Sequence, residues 1–212
     1  MLNRLIRCLA DIKQGRTGFE QLPPAFWDPE IYGSLVYFDW HAIQFIPDEH
    51  KTVEMAEVAL DQSGLALQWV PRALKLAGLC ERAVRADPEA IAFVPPELAT
   101  EAMYAHWCSL QDGSGPFLED VPLRFRSAAL CAAAVRLTPN NIFAVPPSAH
   151  TPEVVAAFLK AEIGEICLSD LPKHLRTVPL SRAMLERGLG EPIDVPEDVR
   201  EQLPAELLKI GE

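Results

Sequence analysis

The chain has no pair of closely spaced cysteines. Cys8, Cys80, Cys108, Cys131 and Cys167 stand singly and are odd in number, which does not suit a closed disulfide framework. Cys80 and Cys131 fall among apolar residues of helical spacing, where a thiol packs as a small hydrophobe. A reducing, cytoplasmic compartment is therefore expected. Metal-type spacings such as H-x-x-x-H are missing, so His41, His50, His106, His150 and His174 present no ligand pattern. No glycine-rich phosphate loop and no G-x-S-x-G turn occurs. Nor does any apolar run approach the roughly 18 residues of a membrane span. Positive charge is scarce: 19 Lys and Arg stand against 30 Asp and Glu, a formal net charge of −11. Such a surface repels a polyanion, so no nucleic-acid partner is expected, and it steers a basic protein instead.

What the chain has in excess is proline, 19 in 212 residues. An aliphatic residue precedes proline at Leu22-Pro23, Ile46-Pro47, Val70-Pro71, Val94-Pro95, Val121-Pro122, Val145-Pro146, Leu171-Pro172 and Val195-Pro196, at spacings of 24, 24, 24, 27, 24, 26 and 24. A fixed period of this length marks a repeat array. With each proline as the first position, the sixth reads Asp28, Thr52, Leu76, Thr100, Ser127, Thr151 and Thr177. All but Leu76 can cap a helix N-terminus. Pro29 and Pro152 follow directly, where a missing N–H costs nothing.

Apolar pairs then recur four residues apart, as in Leu79-Cys80 with Ala83-Val84 and Leu130-Cys131 with Ala134-Val135. That spacing predicts a helix of about ten residues with one apolar face, too short to stand alone in water. A turn and a second short apolar element follow, as in Ala66-Leu67, Ala90-Ile91 and Asn141-Ile142. The proline ends it by pushing its predecessor out of the helical region. The expected fold is all-α: a single domain, residues 1–212, forming an α-solenoid of about seven 24-residue helix–turn–short-helix repeats. Residues 1–22 and 196–212 are expected to cap the array, with residues 23–195 as the repeats. The first twelve residues are amphipathic, interrupted by Arg4, Arg7 and Asp11, and so do not read as a cleaved signal peptide. In the fourth repeat Gln111, Asp112, Gly113, Ser114, Gly115 and Pro116 predict a surface loop with three additional residues.

The run Ala83-Val84-Arg85-Ala86-Asp87-Pro88-Glu89-Ala90-Ile91-Ala92-Phe93-Val94-Pro95 resembles the units of an uncharacterised family of short bacterial and protist helical repeats. Residues 60–71 and 135–146 follow the same pattern, which spans roughly residues 40 to 150. The resemblance implies a helical array of bacterial character. It implies no catalytic residue, cofactor or ligand.

Two columns are candidates for function. The residue before each aliphatic-Pro step runs Phe45, Trp69, Phe93, Asp120, Ala144, Asp170 and Asp194. Either the aromatics fill core gaps, or they form a binding ridge of the kind that concentrates at interface hot spots. The change to aspartate in one column motivates the ridge. A second column, Tyr37, Asp61, Arg85, Ser109, Arg136, Lys160 and Glu186, has the polarity of an exposed face. Arg85, Arg136 and Lys160 either engage an acidic partner or a phosphate, or sit as cations at helix C-termini. Cys108 and His106 are two apart and face different sides of a helix, so no thiol–imidazole pair is expected. No catalytic residue, metal or cofactor is expected. The expected function is a protein-binding scaffold, such as an effector secreted without a cleaved signal or an adaptor. The alternatives are an acidic immunity-type inhibitor of a basic toxin and, from another class, a small-ligand binder or enzyme.

Overall fold

The structure is a computed structural model that describes residues 2–109, 118–161 and 166–209. Every regular element among them is helical, with no strand. The chain divides into two compact halves, Met1–His106 and Trp107–Glu212. The first contains α1 (Leu2–Lys13), α2 (Tyr32–Phe38), α3 (Val53–Gln62) and α4 (Ala77–Ala86); α5 (Glu101–Cys108) crosses the boundary. In the second lie α6 (Ala128–Leu137), α7 (Pro152–Lys160), α8 (Val178–Glu186) and the short α9 (Glu197–Arg200).

The third repeat shows the common plan. Pro71 is extended, with φ −57° and ψ 143°, and precedes a 3-10 turn over Arg72–Leu74. After α4, a six-residue 3-10 helix, Pro88–Phe93, leads to Val94 and the next proline. The turn after the proline was not legible as an element; the sequence suggested a bare break. Proline acts there as an extended N-cap, accepting an N–H three residues on, as Pro71 does from Leu74 at 2.9 Å. Its locked φ suits that position, and its missing N–H is not needed.

Burial follows the columns. All eight aliphatic residues before proline are buried, from Val121 at 0% to Val94 at 8% exposure. The helix pairs join them: Ala59 and Leu60, Ala83 and Val84, Ala134 and Val135, Val154 and Phe158. Ala66 and Leu67, Ala90 and Ile91, and Ile142 complete the core from the second element. Burying one such aliphatic side chain contributes about 1.5–3 kcal/mol.

The cap column is partly realised. Thr52, Thr100 and Ser127 each accept the N–H three residues on, from Met55, Met103 and Leu130. Thr151 and Thr177 precede α7 and α8 without a side-chain cap. Asp28 departs from expectation: it accepts from Glu30 N at 3.0 Å, forming a local turn, and α2 starts only at Tyr32. A short acid that bonds its own backbone two residues on competes with helix initiation. The loop read at 111–116 lies outside the described residues.

Candidate protein-binding surface

The aromatic column occupies one structural place, the last residue of the six-residue 3-10 helix in each repeat. These helices are Trp40–Phe45, Gly64–Trp69 and Pro88–Phe93. Phe45 and Phe93 are half-buried and Trp69 is 38% exposed. The Phe45 ring lies 6.1 Å from Phe19 and 5.9 Å from Trp27, between centroids, within an aromatic cluster that also holds Tyr32. Trp69 therefore offers the most accessible ring of the three.

Asp170 and Asp194 end elements of a different length. There the second 3-10 element has three residues instead of six, Leu168–Asp170 and Pro192–Asp194, while Asp120 ends the described turn Leu118–Asp120. The Asp170 carboxylate accepts the Cys167 N–H at 2.8 Å, and Asp194 accepts that of Glu191 at 2.9 Å. Each closes its own turn. The switch from aromatic to acid thus has a local cause, and Asp170 and Asp194 are accounted for as caps. Asp120 is exposed.

The same column carries a set of backbone bonds that the sequence reading missed. Lys51 Nζ donates to the carbonyl of Trp69 at 2.9 Å, and Lys75 Nζ to that of Phe93 at 2.8 Å. Arg126 Nη1 donates to Ala144 O at 2.9 Å, and Arg176 Nη1 to Asp194 O at 2.7 Å. All four donors stand at the fifth position of their repeat. The arginines also reach back to the end of the preceding repeat: Arg126 to Val121 O and Glu119 O, Arg176 to Leu171 O and Ser169 O. One cation thus joins two successive repeat ends and satisfies their carbonyls. Arg200 makes the backward bonds, to Val195 O and Ile193 O. The signal was present as Lys51, Lys75, Arg126, Arg176 and Arg200 in register, but Trp27, Ala99 and His150 interrupt the column. Burial holds the Lys75 ammonium below its usual pKa, with the Cys80 thiol beside it opposing the shift.

Arg85 and Arg136 lie exposed in the last turns of α4 and α6, where positive charge suits the helix dipole. Arg85 pairs with Glu81 at 2.9 Å, one turn earlier. Both partners of that pair are mostly exposed, so it contributes well under about 1 kcal/mol. Glu81 and Arg85 line a shallow cavity of about 190 Å³ with Met103 and His106. Cys108 is 5% exposed, and burial pushes its thiol up to about 11, so it stays protonated at neutral pH.

Among the described residues, no group of three His, Cys, Asp or Glu side chains is placed to hold a metal ion. No helix there is long and apolar enough to cross a membrane. The class these features define is an all-α protein of tandem short helical repeats. Comparison with models of known protein families, with curated proteins and with solved structures finds no match.

Proposed function

We propose that the repeats stack as an α-solenoid and that the chain is a non-catalytic scaffold binding another protein along the ends of its second 3-10 elements. The observation that carries this reading is Trp69, a large aromatic 38% exposed at a repeat position where none of its equivalents is fully buried. Phe143 at 39% and Ile193 at 72% exposure stand near the end of the same element in later repeats. Phe143 and Ile193 stand one residue before the position equivalent to Trp69, so the exposed apolar groups cluster at the end of this element, and a solenoid would bring such ends side by side. The short bacterial and protist repeats that the sequence resembles are consistent with an effector or adaptor role. The net charge of −11 favours a basic partner, and an inhibitor of a basic toxin is the second reading that this charge supports.

The test is affinity capture from a cell lysate on immobilised native chain, followed by titration of the captured protein. Trp69→Ala is expected to weaken binding at least about tenfold, the loss of a hot-spot residue. Tyr37→Ala removes an aromatic that is 78% exposed outside the column and is expected to change affinity less than about twofold. Equal binding by native chain and Trp69→Ala, or no retained protein, contradicts the reading.

A further inference from the structure

Lys51, Lys75, Arg126 and Arg176 join repeat ends from the fifth position of their repeats, and in the repeat that begins at Pro146 that position is His150. The shorter imidazole makes no such bond: its Nε2 is buried and has no hydrogen-bond partner. The joint that follows is thinly packed as well, since α7 packs broadly on α6 but only sparsely on α8. An imidazole held this way stays neutral. Protonation would put a charge, and a donor with no acceptor, into a place closed to water. Burial accordingly holds the His150 pKa below its ordinary value of 6.5, and His174 beside it lowers it further.

The charges on the surrounding elements do not relieve this. The turn Pro147–Ala149 bears none, and on α6, against which that turn packs, the charged side chain is the exposed Arg136. On α7, Glu153 engages the Thr151 hydroxyl and a backbone N–H, and Lys160 stands in the last turn. Lys173 and His174 are exposed on the next 3-10 turn. Arg126 and Arg176 are committed to backbone carbonyls, and on α8 Arg182 and Glu186 pair with each other at 2.8 Å. Among the described residues, no carboxylate pairs with His150.

We propose that His150 makes the joint between the α7 and α8 repeats acid-labile: on taking up a proton, the imidazole leaves its buried place and the two helices part. Opened, the side chain titrates near its ordinary 6.5; closed, it titrates lower. The open state therefore binds more protons. The closed joint keeps its full stability above 6.5 and loses it as pH falls from there through the closed-state value. This device lies within the second half of the chain and is independent of the protein-binding reading.

Native-state hydrogen exchange of the full chain at about pH 7.5 and about pH 5.5, corrected for the intrinsic rate at each, tests the proposal. The Val155 and Ser181 amides, bonded to Thr151 O and Thr177 O, report on the starts of α7 and α8. Their opening constants are expected to rise about three- to tenfold on acidification, the effect of one linked proton. Those of Ala56 and Cys80, in the first half, are expected to change less than about twofold. His150→Gln, which cannot take up the proton, is expected to abolish the rise. In the native chain the His150 ring resonance is expected to titrate below 6.5, whether or not the variant folds. A ring titrating at or above 6.5 overturns the proposal. So does the absence of a rise at Val155 and Ser181, an equal rise at all four amides, or an undiminished rise in a folded His150→Gln chain.

Discussion

Replacing Arg126 by methionine is expected to destabilise the chain by about 3 kcal/mol, since three charge-assisted hydrogen bonds are lost and their acceptors remain. Val121 O, Ala144 O and Glu119 O accept from this guanidinium at 2.7, 2.9 and 2.9 Å. Val121 itself is fully buried, so water does not readily replace its lost donor. Methionine keeps the aliphatic stem and isolates the loss of the donors. Arg126→Lys is expected to recover about half, because an ammonium reaches one distant carbonyl, as Lys75 does. Arg136→Met, an exposed cation in α6, is the control and is expected to stay within about 0.5 kcal/mol. Urea denaturation of the four proteins measures these differences. A loss below about 1 kcal/mol for Arg126→Met, the scale of an exposed charge, would mean that the joining cations are surface features.

Gly64→Ala is expected to cost about as much, roughly 3 kcal/mol at the upper end of overpacking. A methyl group at Gly64 would overlap the backbone carbonyl of Ala83 and touch the Asp87 side chain. Neither can retreat. Ala83 O belongs to α4, and Asp87 accepts from Ser63 Oγ at 2.9 Å and from Leu65 N at 3.3 Å. The close approach is what lets the second element of one repeat pack on the helix of the next. Gly78 supplies the opposite sign: it lies inside α4 with nothing within 4 Å of an added Cβ. Gly78→Ala is expected to stabilise by about 0.5–1 kcal/mol through helix propensity alone. Thermal unfolding of both variants reads the contrast. Equal effects of the two substitutions would contradict the packing described at Gly64.

The sequence disclosed the repeat because its strongest constraints are local. A buried aliphatic residue before proline combines a steric rule with burial, and all eight such residues are core. Helix faces were legible for the same reason: Ala83 and Val84, or Ala134 and Val135, follow helical spacing and are buried. Three other features were not legible. The 3-10 turn that follows six of the eight prolines has no periodic apolar signature, as Arg72, Ala73 and Leu74 show. The joining cations act over 18 residues, and Ala99 and His150 break their column. Asp170 and Asp194 share a column with Trp69, yet they serve the length of a turn, and no composition rule distinguishes a capping acid from an exposed one. At the candidate surface, the sequence indicated the position of Trp69 and left its exposure open. A period of 24 says which residues are equivalent without saying which edge of the repeat faces water.

The central proposal is that the repeats stack as an α-solenoid that presents their ends to a partner. Small-angle X-ray scattering of the whole chain tests it most directly. A compact globule of this length has a radius of gyration of about 17 Å. Seven helices stacked at about 10 Å intervals give an elongated body, with a radius above about 20 Å and an asymmetric distance distribution. That is the predicted result. A radius near about 17 Å with a symmetric distribution would contradict the array, and with it the extended binding surface.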